Sequence, residues 1–253
     1  MTASAGVIWA HDARAADWIA PRLHGFSVDT SSVIPDGFDA YCRIFHPLRK
    51  HVPGATSRTW AEVAAHNGRI VHSEMQLHMI SHAVGATPEH YDLNDYINEL
   101  DWGSLPIVER TVLVEALRHH TTTPEQCWFC VWDGFGGIDL PATSERVRLP
   151  YRDYVLYAGP IEIATAALDT GPDEFATDPT YQPWDDQSPN LWWPEDRAWF
   201  VATEIDYAWT YVGGTEELIG SLLMTNGLEV LAAQLTDRPF SDCDTLNAAL
   251  DCQ

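Results

Sequence analysis

Apolar residues recur along the chain with two different spacings, and each spacing predicts a different kind of element. "FDAYCRIFH" (Phe38 to His46), "CWFCVW" (Cys127 to Trp132) and "DYVLYAG" (Asp153 to Gly159) alternate or run apolar over strand lengths, the second stopping at the turn pair Asp133-Gly134. "AWFVATEIDYAWTYV", Ala198 to Val212, is long enough for two strands or one long bent strand. Helix signals lie between these runs. Asp12 can cap a segment to Leu23; "TWAE" (Thr59 to Glu62) fits a capping box whose helix stops at Gly68; Ser104 and Pro106 open a helix closing near Arg118. Gly159-Pro160-Ile161-Glu162 opens a further helix. Thr215 starts another, with Leu218, Ile219, Leu222 and Leu223 on one face and Asn226-Gly227 at its end.

The pattern predicts one α+β domain over residues 1–253, with most strands in the second half, a mixed or largely antiparallel sheet and helices mainly on one side. All histidines lie at or before His120 and most tryptophans at or after Trp128, yet no Gly/Ser-rich linker separates the halves. Residues 168–190, with four prolines, many acids and no period, read as a long surface loop, either a mobile segment or a lid.

Charge narrows the partners. The formal net charge is −23, and from Asp153 onward nineteen carboxylates face only Arg197 and Arg238. Such a chain repels nucleic-acid phosphates and anionic lipid, so a basic protein or a cation is the expected partner, with no nucleic acid and no membrane. The first residues lack the basic start and apolar run of a signal peptide, and no eighteen-residue apolar stretch exists. Five cysteines, an odd number at irregular spacing, suit reduced thiols. Together these predict a cytoplasmic protein.

Three groups of residues carry candidate chemistry. Cys127 and Cys130 form C-x-x-C, but on a strand they point to opposite faces, and no second pair completes a zinc set. Glu74, His78 and His82 recur every four residues along one helix face without a metal motif, so no metal or cofactor is assigned. If Ala198 to Tyr207 is one strand, Glu204 and Asp206 are neighbours on one face, and close carboxylates raise one another's pKa. They are the acid/base pair of an alternative, hydrolase-like enzyme reading in which Arg197 holds an anionic group.

"SPNLWWPEDRAWF", Ser188 to Phe200, offers Trp192, Trp193 and Arg197 as an aromatic and arginine binding surface, with Glu204 and Asp206 beside it. Its competing reading has Trp192 and Trp193 sealing the core, with Arg197 pinning the loop to a carboxylate or stacking on an indole. This segment, with "CWFCVWDG" and "RDYVLYAGP", resembles a family of uncharacterised actinobacterial proteins over roughly residues 105 to 225. The resemblance implies no activity, fold or catalytic residue. The chain's leading functional reading is therefore an acidic interaction module.

Overall fold

The computed structural model describes residues 7–25, 28–49, 56–86, 100–135, 140–142, 144–150, 152–166 and 187–251. Among these residues nine strands form a single sheet in which every pairing is antiparallel. They are β1 (Ile8–Trp9), β2 (Ala40–Phe45), β3 (Cys127–Trp132), β4 (Arg146–Arg148), β5 (Asp153–Gly159), β6 (Leu191–Pro194), β7 (Phe200–Ala202), β8 (Trp209–Gly214) and β9 (Glu229–Ala233). Their order is β1-β5-β3-β6-β7-β8-β2-β9, with β4 also on β5. Among the described residues the helices are α1 (Trp60–His66), α2 (Leu77–Ile80), α3 (Ile107–Arg118), α4 (Glu216–Leu223) and α5 (Thr245–Leu250). The chain thus has the α+β fold its pattern predicts. Strand β2, from the histidine-bearing half, lies between β8 and β9 of the tryptophan-rich half, so one sheet spans both.

Each face of the sheet carries its own core. On the first face lie Tyr41, Phe45, Trp60, Leu156, Trp193, Phe200 and Trp209, covered by α1, α2 and short 3-10 turns near the N-terminus. On the second lie Phe129, Tyr157, Trp192, Trp199 and Val212, covered by α3, α4 and the 3-10 turn Ile161–Thr165. The two longest helices among the described residues share this second face. α3 buries Leu113, Val114 and Leu117, and α4 buries Leu218, Ile219 and Leu222. Leu223, expected on that buried face, is 40% exposed at the helix end.

Local chemistry explains the boundaries. Thr59 accepts from the Glu62 amide while Glu62 accepts from the Thr59 amide, the capping box expected, and Gly68 ends the turn at φ +69°. Glu229 of β9 adds a second cap, accepting the Trp60 and Ala61 amides at 2.7 Å each. The segment after Asp12 forms two 3-10 turns, Arg14–Ala16 and Ala20–Arg22, instead of a helix to Leu23. Asp12 does accept the Arg14 amide, but Pro21 cannot donate a backbone hydrogen bond. Likewise α2 is a single turn, leaving Glu74 and His82 outside it. Within 168–190, residues 168–186 lie outside the described residues, whereas 187–190 are buried.

Strand β6 fastens the two faces. Trp192 and Trp193 are each 1% exposed and point to opposite cores. Trp192 packs edge-on to Trp199 (ring centroids 5.3 Å apart), and Trp193 stacks on Phe200 (5.6 Å). Just before them Asn190, fully buried, receives the Trp132 amide on Oδ1 and donates from Nδ2 to the Gly103 and Thr203 carbonyls. Trp192→Ala and Trp193→Ala should each cost about 3–5 kcal/mol, the range for deleting a buried indole. Denaturant unfolding at matched slopes checks this, and a loss under about 1 kcal/mol at either site would contradict it.

Candidate functional site

The tryptophan motif resolves into core and turn. Leu191–Pro194 is itself a strand, paired with β3 and β7, because alternation sends one indole to each side. Burial of Trp192 and Trp193 removes both from any exposed binding surface. The next three residues make the exposed turn to β7. Glu195 accepts from Trp128 Nε1 at 2.5 Å, and Asp196 accepts from the Thr121 and Thr122 hydroxyls and the Thr122 and Ala198 amides. Burial pushes the Asp196 carboxyl up, but these hydrogen bonds outweigh it and hold its pKa below the usual range.

Arg197 is exposed and adopts φ +55°, the left-handed region that L side chains enter at a cost of about 1–2 kcal/mol. Its amide donates to the Pro194 carbonyl, and its guanidinium lies 5.2 Å from the Trp18 ring centroid. Among the described residues the indole, not a carboxylate, is therefore its partner. An exposed stack of this kind contributes about 0.5–1 kcal/mol. Arg197→Gly should be at least as stable as Arg197→Ala, since glycine relieves the backbone while both lose the stack. A melting temperature clearly lower for the glycine variant would show that the strain is absent.

Glu204 and Asp206 are neighbours, though not on a strand. β7 ends at Ala202, and both acids lie on the hairpin loop to β8, where the Tyr207 amide returns to the Glu204 carbonyl. A cation unmarked by any motif joins them. Arg152, one residue before β5, donates Nη2 to Glu204 Oε1 and Asp206 Oδ2, both at 2.8 Å, and Nε to Glu204 Oε1 at 3.2 Å. Burial raises the Glu204 pKa, and Arg152 offsets part of that rise. A cavity of about 20 Å³ adjoins them, lined by Ser32, Leu149, Arg152, Tyr154, Leu191 and Glu204. A larger open cleft of about 410 Å³ lies between the N-terminal turns and β4, lined by Asp17, Glu145, Arg146 and Arg148 with small apolar residues. Arg152 escaped sequence reasoning because 52 residues separate it from Glu204. The one available sign was a base standing at the edge of the acidic half.

The remaining candidates separate. Cys127 faces the second core and Cys130 the first, as strand alternation requires. Burial pushes the Cys127 thiol up to about 12 and the Cys130 thiol higher still. Cys42, Cys127, Cys130 and Cys243 are free and buried, and Cys252 lies outside the described residues. Glu74 accepts the Arg238 amide and His82 contacts Asp251, so the spacing with His78 does not create a shared site. Cys243, His72, Asp244 and Asn247 resemble a thiol-protease grouping by composition only. The Cys243 thiol contacts Gln76 and the Glu74 carbonyl, while His72 contacts Asp244 and Asn247. Among the described residues no group of three or more His, Cys, Asp or Glu could hold a metal ion.

No family model, curated protein or solved structure matches the chain.

Arg152 gives a pH-dependent prediction. Arg152→Ala leaves Glu204, its side chain 18% exposed, without its cation, and should cost about 1–3 kcal/mol where Glu204 is ionised. Because burial raises the Glu204 pKa in the fold, its ionised form is the unfavourable one. The penalty is therefore largest above the folded pKa and shrinks as pH falls and the carboxyl takes up a proton. Melts near pH 8 and about pH 4.5 compare the two regimes, and a difference between variant and parent that grows at the lower pH would contradict the assignment.

Proposed function

We propose that this chain is an acidic protein-binding module whose partner is a basic protein, acting in the cytoplasm. The observation that carries the reading is the imbalance of exposed charge. From Asp153 onward Asp153, Glu162, Asp196, Glu216, Glu217 and Asp242 are exposed, and the bases there are Arg197 and Arg238, both exposed. Arg238 pairs with Asp242, and Arg197 lies against Trp18. The carboxylates thus stand in a negative field that favours cations and steers basic surfaces toward it. Among the described residues no helix is long and apolar enough to cross a membrane.

Relocating the tryptophans changes the form of this reading. A surface centred on Trp192 and Trp193 would have derived its affinity from aromatic burial, whereas the exposed acids favour electrostatic recognition and fast association. The enzyme alternative draws on the raised Glu204 carboxyl, but the adjoining cavity has room for about one water. Both acids are also engaged by Arg152, and Arg197 sits on a different turn.

Copurification of the tagged full-length chain from its native host, with partners identified by mass spectrometry and each interaction repeated with purified components, tests the proposal. The expected partner is a basic protein whose affinity falls at least about tenfold between roughly 0.05 and 0.5 M salt, while unrelated duplex DNA is not retained. A salt-insensitive partner of neutral or acidic character, or micromolar duplex binding, would overturn it.

A further inference from the structure

The two edges of the sheet are built differently. At one edge the outer rows on β5 are β1, two residues long, and β4, three residues long with arginine at both ends. Short strands and charged side chains are how proteins prevent an edge from pairing with another chain. At the other edge β9 runs Glu229-Val230-Leu231-Ala232-Ala233, five residues without lysine, proline or glycine.

The hydrogen-bond alternation identifies which groups of β9 are open. The His46 amide donates to the Ala208 carbonyl at 3.0 Å, which sets the register of the β2-β8 ladder. Ile44 and Cys42, two and four residues before it, bond toward β8, and the residues between them, Tyr41, Arg43 and Phe45, turn toward β9. Their partners Ala233, Leu231 and Glu229 are therefore the inward-bonded residues of β9. Val230 and Ala232 direct their N–H and C=O groups away from the sheet, and among the described residues nothing bonds to them. Ala232 is exposed and Val230 half-buried. Beyond Ala233 the edge closes on itself, with the Gln234 amide donating to Asp237.

Charge selects the occupant. Glu62 lies on the first turn of α1, whose Trp60 and Ala61 amides Glu229 caps, at one end of the strand, and Asp237 lies just past the other. Glu216 and Glu217 are exposed on the first turn of α4, which packs against β9. A second copy would bring the same acids and a −23 charge to the same edge, whereas a basic chain would neutralise them. We propose that β9 is a docking edge on which an extended, basic segment of a partner protein adds as a further antiparallel strand, bonding to Val230 and Ala232. This inference rests on the acidic-module reading and gives it a location and a mode, with main-chain hydrogen bonds supplying affinity and the flanking acids supplying selection.

The test uses the full chain and a synthetic peptide of alternating lysine and valine, with a glutamate-valine peptide as its charge-reversed control. The lysine peptide should slow amide exchange at Val230 and Ala232 and bind at low salt, while the glutamate peptide should not. Ala232→Pro removes an outward N–H and adds bulk outside the β2-β9 ladder, the position where an edge strand tolerates proline. It should keep the fold and weaken the lysine peptide about tenfold, the scale of one lost hydrogen bond with its neighbour disturbed, while Ala232→Ser retains binding. If Ala232→Pro fails to fold, amide exchange in the parent decides alone. Binding of the lysine peptide without protection of Val230 and Ala232 would overturn the docking edge and leave the acidic-module reading standing. No binding of the lysine peptide at low salt would overturn both. A concentration-dependent dimer protected at Val230 and Ala232 would make a second copy the occupant and also overturn the proposal.

Discussion

Adjacent residues on a strand point in opposite directions, and the chain places tryptophan at both positions of one such pair. Trp192 and Trp193 leave β6 on opposite sides and bury in separate cores, so four residues connect the α3-α4 face to the α1-α2 face. Each indole has its own aromatic neighbours, Trp199 and Phe129 on one side and Phe200 and Trp18 on the other. Neither core can shift along the sheet without carrying β6 with it. Asn190 extends the same junction, linking the end of β3 to the Gly103 and Thr203 backbone. Gly103 has no room for a side chain, since a Cβ there would lie 2.5 Å from the Ile205 carbonyl oxygen.

With its aromatic residues committed inward, the molecule presents carboxylates outward, and its few cations are largely occupied within the fold. Arg43, 1% exposed on β2, donates to the Ser73 carbonyl at 2.6 Å and lies 3.8 Å from the Trp209 ring centroid. Burial lowers its pKa. Arg69 pairs with Asp251, and Arg152 joins Glu204 to Asp206. Arginine serves such sites because its planar, weakly hydrated guanidinium can stack on a ring or bridge two carboxylates. Placing cations in these internal contacts leaves the surface more negative, which connects the architecture of the core to the charge that selects partners.

Local signals were legible where one short stretch determined the outcome. The capping box at Thr59, the strand at Cys127–Trp132 and the Thr215 cap of α4 depend on neighbours within a few residues. The α+β class followed from the same signals. Less was legible where tertiary partners decide. Leu191–Pro194 ends in a proline and follows Pro189 by two residues, and only pairing with β3 and β7 makes it a strand. β9 has too few alternating positions to announce itself, and β2 defines its register from almost two hundred residues away. The candidate site divided similarly. Glu204 and Asp206 are close because a turn and Arg152 hold them, not because they share a strand face. Arg197 meets Trp18, a residue from the opposite end of the chain.

Native-state hydrogen exchange tests most directly whether β6 fastens both cores into one cooperative unit. The amides of β3, β6 and β8 that bond within the sheet should exchange slowly and with a common opening free energy near that of global unfolding. Trp192→Ala and Trp193→Ala should each lower that value on both sides of β6. Exchange in which β6 opens early while β3-β5 and β8-β2 retain separate, higher protection would contradict the account, because the two parts of the sheet would then be stable without the strand assigned to join them.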